Sequence, residues 1–205
     1  MSSPGITGKD PGNLFIVEQA APAGEQEVCV WCGFCCDGTL FLQAGLWQGE
    51  KGSLPDKIEQ NVVSGKEGDY FLLPCGYFDG KCTIYDSKRA VVCSAYRCQL
   101  LHNLAERKIA LSEAKETVLE ARRLREEILS GFRQITGYDG SLYFRKVLAE
   151  MGKLIKESGN GPAGDEKIEI LMARCNIFES LLIKHFRSES DFDKMIFHEQ
   201  VLQKQ

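Results

Sequence analysis

The chain has 205 residues and a formal net charge of −4, with 43% hydrophobic and 26% charged side chains. That balance belongs to a folded chain rather than a disordered one, and the mild acidity argues against a nucleic-acid partner. No apolar run reaches the ~20 residues of a membrane-spanning helix, so no membrane partner is expected either.

Residues 1–13 read as a flexible lead-in, because Pro4, Gly5, Gly8, Pro11 and Gly12 oppose regular structure. This stretch has neither the basic nor the apolar region of a secretory signal, so a cytoplasmic, reducing compartment is expected. Residues 14–100 then form a region rich in Gly and Cys. Residues 101–205 are rich in Leu, Glu, Lys and Arg and read as helical. The first hundred residues carry 8 basic and 12 acidic side chains, and the remainder carries 17 of each.

The cysteine-rich region reads as short elements. Thr39 to Leu42 suits a brief strand. Ser53 to Val63 suits a short helix, with Pro55 in its first turn and Gly65 beyond its end. Tyr70 to Leu73 and Thr83 to Tyr85 are β-prone. Asp79-Gly80 between them predicts a hairpin that carries Cys75 and Cys82.

The helical region has a clearer period. Ala95 to Arg107 suits one helix. Ser112 can cap a longer one to Thr136, with Ala114, Val118, Ala121, Leu124 and Leu129 on one face and Gly137 as its terminator. Asp139-Gly140 makes a turn. Ser141 can cap a further helix whose Leu142, Val147, Leu148, Met151 and Leu154 face inward. Residues 159–164 form a linker. Asp165 can cap a helix that buries Ile168, Leu171, Met172, Cys175, Ile177 and Leu181. A last helix is expected from Phe192 to Leu202. The fold class that follows is α+β: a small cysteine-rich, metal-stapled domain with minor β-structure, packed on a mostly helical region.

Nine cysteines are the compositional outlier, and eight of them lie between positions 29 and 98. In a reducing compartment, clustered thiols point to metal rather than to disulfides. The first group is Cys29-Val-Trp-Cys32-Gly-Phe-Cys35-Cys36. Its two-residue gaps let successive thiolates turn back onto one centre, as in zinc knuckles and iron–sulfur sites. The ferredoxin run fails, because Thr39 stands where its fourth cysteine is needed. The three-then-two spacing of a radical-SAM loop fails at the same residue. The side chains of the adjacent Cys35 and Cys36 diverge, so one can face a metal while the other faces a second metal or the core. The second group is Cys75, Cys82, Cys93 and Cys98. Together the eight suffice for two four-thiolate sites or for one polynuclear cluster with spare ligands. The adjacent pair and the missing second C-x2-C half fit a zinc ribbon poorly, so an iron–sulfur cluster is favoured over zinc.

Around the thiols, Tyr85, Arg89, Tyr96 and Arg97 are candidates for hydrogen bonds to thiolate sulfur, with packing and surface charge as the alternatives. Trp31 and Phe34 either shield the site from water or pack in the core. Asp37 reads as a loop cap. His102, four residues after Cys98, either completes a site or lies on a helix surface. Cys175 reads as a core residue, and His185 and His198 as surface or packing residues. The run Arg122-Arg123-Leu124-Arg125-Glu126-Glu127 reads as a solvated face with pairs such as Arg122–Glu126 and Arg123–Glu127. No phosphate-cradling loop, Ser-His-Asp arrangement or carboxylate pair is apparent in the sequence.

The two cysteine groups resemble the CxxCxxCC family, the YkgJ-type cysteine cluster proteins with a zinc- or iron-chelating domain. The resemblance covers residues 29–98 and rests on Cys29, Cys32, Cys35, Cys36, Cys75, Cys82, Ile84, Tyr85, Arg89, Cys93, Tyr96 and Cys98. The family's Pro after Arg is Ala90 here, and the interval from Tyr85 to Cys93 is one residue longer. The resemblance implies metal ligation by the eight cysteines, with Arg89 and Tyr96 in supporting roles. It also implies kinship with proteins tied to flagellin lysine methylation. The functional expectation is a metal-binding protein that holds an iron–sulfur cluster, iron or zinc, with redox or protein-modification chemistry. The alternative is a structural zinc module whose helical region binds a protein partner.

Overall fold

The computed structural model describes residues 23–157 and 166–187. The expected lead-in 1–13, linker 159–164, cap Asp165, helix 192–202 and His198 lie outside the described residues. The elements run α1 (Ala23–Cys32), β1 (Gln43–Gly45), α2 (Asp56–Glu59), β2 (Val62–Gly65), β3 (Gly68–Leu72), α3 (Val91–Ala95), α4 (Gln99–Ala105), α5 (Leu111–Thr136), α6 (Phe144–Glu157) and α7 (Glu166–Phe186). The fold is α+β, with one small antiparallel sheet of order β1-β3-β2.

Helix α5 is the spine. Ala114, Val118, Ala121, Ile128, Leu129 and Phe132 are buried along it at helical spacing, and Leu124 is partly buried. Gly137 ends it in the left-handed conformation, φ 69°, and donates its N–H to the Arg133 carbonyl at 2.8 Å. The helix starts one residue before the expected cap Ser112, with Ala110 as N-cap and no side-chain bond there. Leu111 packs over Gly24 of α1, and that contact draws the helix start back. Helix α6 likewise begins at Phe144 rather than beside Ser141. Phe144 is buried edge-on against Phe178 of α7 at 4.7 Å. On α7, Leu171 and Cys175 are buried as expected, but Ile177 is 59% exposed, and Phe178 and Leu182, outside the expected set, are buried instead.

The cysteine-rich region departs more from its predicted elements. Residues 39–42 are not a strand. Leu40 donates its N–H to the Phe34 carbonyl and Thr39 donates to the Asp37 carboxylate, so the backbone stays in a turn until β1 opens at Gln43. The helix expected over 53–63 shrinks to α2, because Val62 and Val63 pair with Phe71 and Tyr70 of β3. Thr83–Tyr85 forms a turn, and the expected hairpin is reduced to one bridge, Phe78↔Cys82, across Asp79-Gly80. The helix expected over 95–107 is broken. Tyr96 and Cys98 are extended, and α3 and α4 lie on either side of them.

Two apolar clusters result. The larger joins Val28, Phe34 and Leu40 to the helices through Phe132, Phe178 and Phe186. The smaller lies under the sheet and holds Leu54, Ile58, Phe71, Leu73 and Ala90. Phe34, between Cys32 and Cys35, has its ring 5.9 Å from Phe178 and 5.3 Å from Phe186, both edge-on. The core therefore grips the first cysteine group from inside. Phe178→Ala is expected to lower stability by about 3–5 kcal/mol, read from the urea midpoint. It should also raise the alkylation rate of Cys32 and Cys35, by loosening Phe34.

Candidate metal centre

The first cysteine group is shaped by two glycines. Helix α1 presents Cys29 and Cys32 one turn apart. Gly33, at φ 72°, then reverses the chain. A Cβ there would stand 2.3 Å from the Phe78 ring, so only glycine fits. The turn is closed by N–H donation from Cys36 and Asp37 to the Gly33 carbonyl, at 2.8 and 3.0 Å. Gly38, at φ 81°, lets the chain leave past Tyr143 and Pro74. Cys35 and Cys36 are held between these two reversals.

Side chains from distant elements fix that turn to the helices. Arg125 of α5 donates to the Asp37 carboxylate, and both are buried. Its guanidinium also lies 5.4 Å from the Phe34 ring centroid. Asp37 does cap the loop, through Thr39 N–H at 2.8 Å, but the ion pair is the larger feature. Burial pushes its carboxyl up from the ordinary range, and Arg125 and Thr39 pull it back. Arg145 and Arg187 both donate to the Leu40 carbonyl. The charged face of α5 is therefore only partly solvated. Arg123 pairs with Glu127 at 3.6 Å, as the spacing predicts. Arg122 instead donates to the Trp31 carbonyl, and Glu126 takes Arg125.

The second group comes from the loop after β3 and from α3. Cys75 donates its N–H to the Cys36 carbonyl at 2.7 Å, which brings the two groups together. Cys93 lies in α3, whose first N–H, at Val91, is taken by the Glu50 carboxylate at 2.7 Å. Ala90 has φ −61°, a value proline itself adopts. Cys98 is the N-cap of α4, with no side-chain hydrogen bond there; burial pushes its thiol up, and the backbone N–H groups at the helix start lower it in part. The extended residues before it are tied to α1 by Arg97, whose Nε donates to buried Glu25 at 2.8 Å.

Cys29, Cys35, Cys36, Cys75, Cys82 and Cys93 all border one cavity of about 290 Å³. Its other walls include Phe41, Phe71, Ile84, Tyr85, Arg89 and Tyr96. The Arg89 guanidinium stacks 4.0 Å from the Tyr85 ring centroid, and Tyr96 meets Phe41 edge-on at 5.2 Å. The remaining thiols, Cys32 and Cys98, stand behind this wall against the larger apolar cluster. All nine cysteines are free thiols. Among the described residues, no three His, Cys, Asp or Glu side chains are gathered closely enough to hold a single metal ion as they stand. The thiols surround a volume rather than a point.

Other candidates fall away from this centre. His102 is exposed on α4, with its N–H on the Cys98 carbonyl. His185 is partly buried near the end of α7. Cys175 is a core residue, and burial pushes its thiol up to about 12. Trp31 is 38% exposed under Arg122, neither shield nor core. Sequence reasoning missed Arg125 and Glu50. For Arg125 there was a signal: position 125 falls on the same stripe as Val118, Ala121, Ile128 and Phe132. Comparison with family models, curated proteins and solved structures gave no match to this chain. Among the described residues no helix is long and apolar enough to cross a membrane.

Burial is the first cause of every thiol shift at the centre. It pushes Cys29 up to about 11 and Cys93 up to about 12, and carries Cys32 and Cys35 well above the ordinary 9.0. A thiol whose folded value lies above its unfolded value keeps a proton that the unfolded chain releases. Its stabilisation is complete below the unfolded value and is lost as pH rises toward the folded one. The urea midpoint of metal-free protein should therefore fall between pH 9.0 and about 11, the window set by Cys29; a flat midpoint across it would contradict the burial. Arg125→Met should cost about 3–5 kcal/mol near neutral pH, because it leaves the Asp37 charge buried without a partner. The loss should shrink as pH falls into the carboxyl range, which burial has raised for Asp37, because the acid then takes a proton. Asp37→Asn combined with Arg125→Met should recover part of it in the same urea titration.

Proposed function

We propose that this chain is a metal-binding protein that holds an iron–sulfur cluster through Cys29, Cys32, Cys35, Cys36, Cys75, Cys82, Cys93 and Cys98. The observation that carries the reading is the cavity bordered by six of these thiols, drawn from elements far apart in sequence. A donor set of thiols alone suits iron–sulfur clusters and zinc. A tetrahedral zinc ion needs its sulfurs at about 2.3 Å from one point. Ligands of a cluster are shared among several irons and stand farther apart, which suits thiols spread around a volume. The resemblance to the CxxCxxCC family supports the same donor residues.

The chain's own residues have definite parts in this reading. The cysteines must lose their protons to ligate, so binding releases protons and strengthens with pH. Phe41, Phe71 and Ile84 keep water from the cavity. Arg89 brings a cation to the wall and counters the negative charge of the thiolates, and Tyr85 supports the guanidinium from beneath. Tyr96 is held against Phe41 at the same wall. When bound, the cluster would supply one-electron transfer. A role in protein modification, such as lysine methylation, rests on the resemblance alone. The reaction is expected in the cytoplasm, with a protein partner reached through the helical region.

The test is iron and acid-labile sulfide content on anaerobically purified protein, with its visible spectrum. Iron with matching sulfide is the expected result. Stoichiometric zinc without iron would turn the reading to a structural zinc module, and protein with neither metal and all thiols free would overturn it. In the loaded protein, Arg89→Ala should lower the reduction potential by on the order of tens of millivolts, because the lost cation favours the more negative reduced state. A potential unmoved by this change would remove Arg89 from the supporting role.

A further inference from the structure

Eight thiols can serve one centre or two, and the surroundings of each thiol differ in a consistent way. Cys29, Cys32, Cys35 and Cys98 pack against the larger, helical apolar cluster. Cys75 and Cys93 pack against the smaller cluster under the sheet, and Cys36 is joined to Cys75 through the backbone at 2.7 Å. The elements divide in the same way. The first four come from α1, the turn after it and the start of α4, and α1 and α4 pack on each other. Cys75, Cys82 and Cys93 come from the loop after β3 and from α3; of the first motif, Cys36 is joined to them through the backbone, while Cys29 and Cys35 share the cavity wall with them.

We infer that the chain carries two four-thiolate centres, Cys29, Cys32, Cys35 and Cys98 on the helical side and Cys36, Cys75, Cys82 and Cys93 on the cavity side. This rests on the metal-binding reading above and adds which thiols act together. The adjacent pair Cys35-Cys36 is the divide, since neighbouring side chains at a tight turn point apart. Cys29 and Cys35 also border the cavity, so they stand closest to the boundary between the two sets.

The two sites differ in exposure. The helical-side centre has Cys32 and Cys98 away from the cavity, packed against the larger apolar cluster. All four thiols of the other set face the cavity and Arg89. Any exchange of electrons or ligand with the outside belongs to the cavity-side set.

The experiment uses the full-length, metal-free chain titrated anaerobically with zinc(II), followed by a pulse of alkylating reagent and peptide mapping. Two equivalents should bind. The thiols should gain protection in two groups of four, with Cys35 and Cys36 in different groups. Cys98→Ser should lose one equivalent and leave Cys36, Cys75, Cys82 and Cys93 protected, and Cys75→Ser should do the converse. Where a variant does not fold, the order of protection in the unaltered chain decides. A single step protecting all eight thiols, or Cys35 and Cys36 protected together, overturns the partition while leaving metal binding intact. No uptake of zinc, nor of iron supplied with sulfide, overturns both.

Discussion

The buried pair between Asp37 and Arg125 joins the two halves of this structure. It links the residue just after the double cysteine to the middle of the longest helix. Such a pair does little for net stability when compared with apolar packing, because both charges lose water. Its value is positional. Arg125 also covers Phe34, and Arg145 and Arg187 hold the Leu40 carbonyl a few residues on. The turn that presents Cys35 and Cys36 is thus fixed from α5, from α6 and from the residue just after α7. Without that anchoring, a turn rich in glycine would lose its shape as soon as it lost its helix contacts.

Protonation governs what the thiols can do. In metal-free protein, burial keeps the thiols of known shift neutral near pH 7, so the protein carries no cluster of buried negative charge. Metal entry reverses this by replacing protons with a cation. The free energy of ligation then becomes free energy of ordering for the segments that carry ligands. Those segments need it. The stretch from 74 to 98 has only α3 as regular structure, one isolated bridge and a few buried side chains of the smaller cluster.

The sequence was most readable where one regular period met one apolar face. Helix α5 is the clearest case, with its stripe of Ala114, Val118, Ala121 and Leu129 and its Gly137 terminator. The thiols were readable as a group because eight cysteines in one stretch have few other uses. Short elements were not. Val62 and Val63 are equally compatible with a helix end and an edge strand, and only Phe71 and Tyr70 across the sheet decide it. The break at Tyr96 to Cys98 has no proline or glycine to announce it; Glu25, buried at the start of α1, draws Arg97 out of helical register. Arg125 looked solvated because a charged residue inside a run of charges gives no local sign of a buried partner so far away in sequence.

The break before α4 carries the most for the centre. A continuous helix from 95 to 107 would place Cys98 mid-helix, with its sulfur alongside the preceding turn and its neighbouring N–H groups used by the helix ladder. Because the chain is extended through Tyr96 and Cys98, the sulfur instead sits at the start of α4, beside backbone N–H groups that the helix ladder does not use. Their positive ends favour the thiolate, against the burial that disfavours it. The same extension sends Tyr96 to the cavity wall and Arg97 to Glu25, on opposite sides of the strand-like segment. One local departure from helix thus prepares a ligand, lines the cavity and ties the segment to α1, where Cys29 and Cys32 stand.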